Sequence, residues 1–142
     1  MNGPIWKAIK AKLRSDPEWK RTCGTLHRGK PKRQVPAPHV IWYDNMGGES
    51  FDAFGEDVGR LIGQFTFVSG KDDEGAKVDA MIRATHDILH TKKLTNGDML
   101  VGWMHLSRTP RVIQEDGTYD AQLDAEVTFQ GATQVPAFPG VA

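Results

Sequence analysis

The segment from Asp120 to Phe129 alternates without a break. Ala121, Leu123, Ala125, Val127 and Phe129 are apolar, while Asp120, Gln122, Asp124, Glu126 and Thr128 are polar. Strict period-two patterning over this length suits a β-strand with one dry face and one wet face. The chain therefore has to build a sheet around this segment, with a core on one side. The other side is left to solvent or to a partner.

Other segments fit that demand. Met99 to Thr109 puts Val101, Trp103 and His105 on one face and Leu100, Met104 and Leu106 on the other. With the turn signal Glu115-Asp116-Gly117, these two strands are expected to form a long antiparallel hairpin. Arg60 to Ser69 places Leu61, Gly63, Phe65 and Phe67 on one side, and His39 to Asp44 is apolar on both. Two helices are expected. In Pro4 to Ser15, Ile5, Trp6, Ile9 and Leu13 share one arc at about 100° per residue, and Asp16-Pro17 closes the helix. The second runs from Asp72-Asp73-Glu74 to about Lys93, with the stripe Val78, Met81, Ile82, Thr85, Ile88 and Leu89. Residues 20–38 and 45–57 read as loops.

The expected fold is α+β, in the order helix, strand, strand, helix, strand, strand. It is a mostly antiparallel four-stranded sheet with two helices on one face, long loops and an extended C-terminal tail. The 142 residues are read as a single domain over 1–130 with the tail at 131–142. Segments 20–38, 45–58 and 131–142 are expected to be mobile or interfacial.

Composition excludes several classes. With 39% hydrophobic and 25% charged residues, the chain is neither disordered throughout nor a rod. No stretch approaches the roughly 18 apolar residues of a membrane span. Lys7, Lys10, Lys12 and Arg14 interrupt the N-terminal apolar residues, so a secretory signal is not expected. Cys23 is the only cysteine, which leaves no intrachain disulfide and suits a reducing compartment.

The net charge is zero, yet it is split along the chain. Residues 1–43 hold ten Lys or Arg against two acids, and residues 44–142 hold eight against sixteen. Opposite halves suit contact with another copy, or a basic surface offered to an acidic partner such as DNA. The basic string His27-Arg28-Gly29-Lys30-Pro31-Lys32-Arg33 is the best nucleic-acid signal, though it lacks interleaved aromatics.

Signs of catalysis are sparse. His86 and His90 stand at i and i+4, as in a helical zinc pair, but Asp87 replaces the glutamate that such a site uses and a third ligand does not offer itself. Cys23 has cations nearby in Lys20 and Arg21 but no base pattern. Phosphate-loop and nucleophile-elbow motifs are missing. The chain is expected to be a non-enzyme without cofactor, catalytic residues or metal ligands.

The order and spacing of the elements resemble the tail-completion, or tail-terminator, family of long-tailed bacteriophages and related tailed particles. The matching residues are Ile5 to Ile9 through Leu13 to Asp16, Pro36 to Ile41, Gln64 to Ser69, Gly75 to Leu89, and the hairpin Asp116 to Tyr119 returning to Val127-Thr128-Phe129. The resemblance implies a homo-hexameric ring of the virion neck, assembled in the host cytoplasm. That ring caps the tail tube protein, stops its polymerisation and presents a surface to the head connector or stopper protein. DNA would pass through its lumen without sequence readout. Another head–tail connector, or a small nucleic-acid-binding module, is the alternative. Candidate interface or channel residues are Arg28, Lys30, Lys32 and Arg33 of the basic loop, with Asp120, Gln122, Asp124 and Glu126 of the last strand.

Overall fold

The structure, a computed structural model, describes residues 2–44, 48–53, 56–71, 75–95, 101–107, 111–115 and 118–130. In chain order its elements are α1 (Asn2–Arg14), α2 (Pro17–Cys23), β1 (Thr25–Arg28), β2 (His39–Tyr43), β3 (Gly48–Ala53), β4 (Glu56–Lys71), α3 (Ala76–Leu89), β5 (Lys93–Thr95), β6 (Val101–Leu106), β7 (Arg111–Glu115) and β8 (Thr118–Gln130).

A ribbon of two long strands forms the centre. β4 and β8 pair antiparallel from Val58 opposite Gln130 to Lys71 opposite Thr118, with one irregularity between Val68 and Gly70. The other strands flank this ribbon. β2 and β3 pair with successive stretches of β4, and β7 and β6 pair with successive stretches of β8. β1 adds parallel to β2, and β5 adds antiparallel to β6. The result is one mixed sheet of eight strands, six of them in the order β1-β2-β4-β8-β6-β5.

This corrects the expected four-stranded, mostly antiparallel sheet with two helices. The described residues form three helices and eight strands, and the parallel β1–β2 pair makes the sheet mixed. The extra helix comes from Asp16-Pro17, which ends α1 but also starts α2. The Asp16 carboxylate accepts the N–H groups of Glu18 and Trp19 at 3.0 and 3.1 Å, and Pro17 stands at the first helical positions. The expected loop over residues 20–38 thus begins with the end of α2 and with β1. β3 occupies part of the expected 45–57 loop, and β7 part of the segment before the last strand. The second expected helix stops at Leu89, so Lys92-Lys93 belongs to the approach to β5 instead. Asp72 to Glu74, Asp116-Gly117 and the tail at 131–142 lie outside the described residues. β8 pairs antiparallel with β6 and the two have the wet and dry faces the alternation implies, but they do not form the expected hairpin: β7 stands between them in the chain, and it is β7 that pairs across to the start of β8, Glu115 opposite Thr118.

All three helices belong to one side of the sheet. Ile5, Ala8, Ile9 and Leu13 of α1, Trp19 and Cys23 of α2, and Val78, Met81, Thr85 and Leu89 of α3 are buried there. They meet the dry sheet positions, Val40 and Trp42 of β2, Leu61, Phe65 and Phe67 of β4, Met104 and Leu106 of β6, and Ala121, Leu123, Ala125 and Val127 of β8. Each large side chain fully buried in this cluster contributes about 1.5–3 kcal/mol. One polar lock crosses it: the Trp19 indole N–H donates to Thr85 Oγ1 at 2.9 Å and ties α2 to α3. The opposite face of the sheet carries no helix among the described residues.

Candidate functional site

The helix-free face is where the charged candidates gather. β8 points Asp120, Gln122, Asp124 and Glu126 to it, opposite Val68, Thr66, Gln64 and Ile62 of β4. Neighbouring strands add His39, Ile41 and Tyr43 from β2, and Trp103 and His105 from β6. Trp103 is 44% exposed, an unusual amount for a side chain of that size.

The basic loop rises at one end of this face. Gly29 closes β1 by donating its N–H to Trp42 O at 2.8 Å, with φ at 70°, and the chain then leaves the sheet. Residues 30–37 return towards β2 along the wet face. Between them and the sheet lies an open groove of about 1110 Å³. Lys30, Lys32 and Arg33 form its basic wall, the β2 and β4 positions Ile41, Thr66 and Val68 form its floor, and Asp120 borders it. His39 anchors the returning end, donating from Nδ1 to Pro36 O at 3.3 Å, and its ring meets His27 edge-on at 6.0 Å. Burial, the neighbouring His39 and Arg14 together hold the His27 imidazole below its ordinary value of 6.5.

The eight candidate residues therefore have different settings. Lys30, Lys32, Arg33 and Asp120 share one groove. Gln122 follows Asp120 along β8 on the same face. Asp124 accepts the Gln64 side-chain amide at 3.2 Å, and Glu126 pairs with Arg60 at 3.7 Å with both half-exposed. Arg28 is held away from the other three cations: its Nε donates to Asp44 Oδ2 at 2.8 Å, a carboxylate only 11% exposed, which staples the ends of β1 and β2. The sequence signal that locates Trp103 is its alternation with Met104, although it carried no functional reading.

The two chemical alternatives fit poorly. His86 and His90 stack face to face at 4.2 Å, and His105 meets His90 edge-on at 5.8 Å. His90 Nδ1 accepts the Leu106 N–H at 3.0 Å, which spends a ring lone pair that a metal would need. Among the described residues no group of three or more His, Cys, Asp or Glu converges on a metal-sized site. Burial pushes the Cys23 thiol up to about 12, partly offset by a hydrogen bond with Thr85, so the sulfur is a core atom rather than a nucleophile.

No family model matches this chain, and no curated protein matches it. Solved structures do. A chain of the virion of a native gene transfer agent particle aligns with a TM-score of 0.69 at 16% identity, covering 92% of this chain and 97% of that one. A second solved chain aligns with a TM-score of 0.62 at 11% identity, covering 92% and 96%. At these identities the likeness is one of fold, and it runs almost from end to end: this chain has the fold of a component of a virion particle.

Proposed function

We propose that this chain is a structural protein of a bacteriophage-type particle, and more narrowly a tail-terminator subunit. In this reading, copies assemble into a homo-hexameric ring at the neck of the virion. The ring caps the completed tail tube, ends its polymerisation and joins it to the head connector. DNA passes through the lumen without sequence readout, and the chain performs no catalysis. The observation that carries the reading is the end-to-end fold likeness to a chain of a gene transfer agent virion. The element order that resembles tail terminators adds to it, as does a wide sheet face that carries no helix among the described residues.

The test is the mass of the purified protein by light scattering across concentration and salt, followed by negative-stain imaging with tail tubes. A closed species near six subunits, or density at tube ends only when the protein is added, supports the terminator. A monomer that leaves tube length and tube ends unchanged rejects it. Salt-dependent retention of DNA by a monomer would favour the nucleic-acid module instead.

A further inference from the structure

The fold leaves the cations of the basic loop unused. From Trp19 to Tyr43 the chain holds six Lys or Arg and no acid, between Glu18 and Asp44. Those two acids are taken, Glu18 by Arg21 and Asp44 by Arg28. Among the described residues, Lys30, Lys32 and Arg33 have no ion-pair or hydrogen-bond partner, and neither has Asp120, the acid that borders their groove. The strand register orders the rest of the groove in rows. His39 lies opposite Val68, which lies opposite Asp120; Ile41 leads through Thr66 to Gln122; Tyr43 leads through Gln64 to Asp124. The groove thus has a basic wall on the loop, a β-branched floor on β2 and β4, and a polar, acidic border on β8. The four steps from His39 to Tyr43, at about 3.3 Å each, make about 13 Å, the reach of about five extended residues.

We propose that this groove binds an extended peptide segment of a neighbouring protein, one in which acidic side chains alternate with apolar ones. That the neighbour is another component of the particle rests on the reading above; the chemistry of the groove does not. An extended segment turns successive side chains to opposite sides. Its apolar set can settle on Ile41 and Val68 while its acids reach Lys30, Lys32 and Arg33. Asp120 faces the segment from the other border and takes back part of the attraction. A single nucleic-acid strand matches the groove less well, because its bases need open aromatic faces to stack on. The middle of the floor is aliphatic, and the His39 ring is already held by Pro36 O and the edge of His27. The charges make the contact weaken as salt rises.

Fluorescence anisotropy of the full chain with labelled probes tests this. The probe is an eight-residue peptide alternating glutamate and valine. Controls are a glutamate-serine peptide, a lysine-valine peptide and an eight-nucleotide oligothymidylate. The glutamate-valine peptide should bind at low salt and the lysine-valine peptide should not. Lys30→Ala, Lys32→Ala and Arg33→Ala together should weaken binding about tenfold. Val68→Ser should weaken it about threefold. Asp120→Asn should tighten it about twofold, since it removes the opposing charge. Circular dichroism and melting establish that each variant is folded. No binding of the glutamate-valine peptide, or equal binding of the glutamate-serine peptide, overturns the inference, the second by reducing it to ionic attraction. An oligothymidylate that binds more tightly overturns it and assigns the groove to nucleic acid. Self-association of the chain that the peptide abolishes overturns it in favour of a second copy. Tail tubes capped by a protein that binds no peptide overturn it and leave the terminator reading standing. Peptide binding in a protein that leaves tube ends uncapped retains the inference and removes that reading.

Discussion

Gly63 should not tolerate a methyl group. It lies on the dry side of β4, opposite Ala125 of β8, and the Trp42 indole of β2 lies across it. A Cβ built at Gly63 stands 2.3 and 2.5 Å from Trp42 Cη2 and Cζ2, and 2.8 Å from Tyr43 O. Neither neighbour can yield cheaply. The indole is fully buried with Phe65 at a ring separation of 4.8 Å, and the carbonyl belongs to the strand next door. Overpacking of this kind costs about 1–3 kcal/mol. Alanine's smaller unfolded-state entropy returns only about 0.4–1 kcal/mol. The net expectation for Gly63→Ala is a loss of about 1–2 kcal/mol, which in a chain of this size lowers the melting midpoint by about 3–8 °C. Urea unfolding followed by tryptophan fluorescence measures it. Trp42→Phe provides the control. Among the described residues the buried Trp42 indole N–H finds no partner, so that exchange removes an unsatisfied donor as well as volume. In the Trp42→Phe background, Gly63→Ala should cost less by at least about 1 kcal/mol. A neutral or stabilising Gly63→Ala in the wild type, or the same loss in both backgrounds, would refute the close approach of indole and strand.

Three further outcomes follow from contacts elsewhere. Thr85→Val keeps the shape but leaves the buried Trp19 N–H without its acceptor, so unfolding free energy should fall by about 1–3 kcal/mol while Thr85→Ser retains most of it. Cys23 should resist a thiol reagent in native protein and react fully in denaturant. Because burial raises its pKa from 9.0 to about 12, the folded state holds the proton more tightly: its contribution to stability is complete below about pH 9 and declines as pH rises above that. A urea midpoint that falls above pH 9 in the wild type but not in Cys23→Ala checks this. Lys12 Nζ donates to Lys93 O at 3.2 Å and Arg14 Nη2 to Leu26 O at 3.2 Å, so Lys12→Ala with Arg14→Ala should expose backbone at both terminal strands and increase aggregation on mild heating, read by light scattering. An unchanged aggregation onset would remove that role.

What could be read from the chain follows from where its information is local. The period-two run of β8 and the 3-4-3 stripe of α3 each repeat often enough to identify an element and its buried face. β1, β5 and β7 have four, three and five residues, too few for any period to declare itself. Lys92-Lys93 looked like a complement to a helix dipole, but His90 is already extended and the chain turns at Thr91 with φ at 57°. The α2 signal lies in Asp16-Pro17-Glu18, a capping residue followed by a proline that fits a helix start, but the same pair also stops α1 and so masks the start behind it. The site divides in the same way. The wet face of Asp120, Gln122, Asp124 and Glu126 is written in the alternation of β8. That Lys30, Lys32 and Arg33 come to lie over that face depends on the parallel register of β1 with β2, a non-local pairing with no trace in the loop's own sequence.

The split of charge along the chain therefore has a different meaning in space. Several of the ten cations in residues 1–43 are engaged within the fold. Arg28 joins Asp44, Arg21 meets Glu18, Lys10 lies 5.8 Å from the centre of the Trp6 ring, and Lys12 and Arg14 cover backbone carbonyls of β5 and β1. The Arg21 pair is about three-quarters exposed on both sides and contributes little to stability. Lys30, Lys32 and Arg33 are set apart by their position, on a groove wall that looks over the uncovered face. The two terminal strands, where a sheet most readily recruits another sheet, are the places the chain has covered with cations from α1. Growth by edge pairing at β1 or β5 is thus opposed, whereas the opposite face, with its basic rim, carries no helix among the described residues.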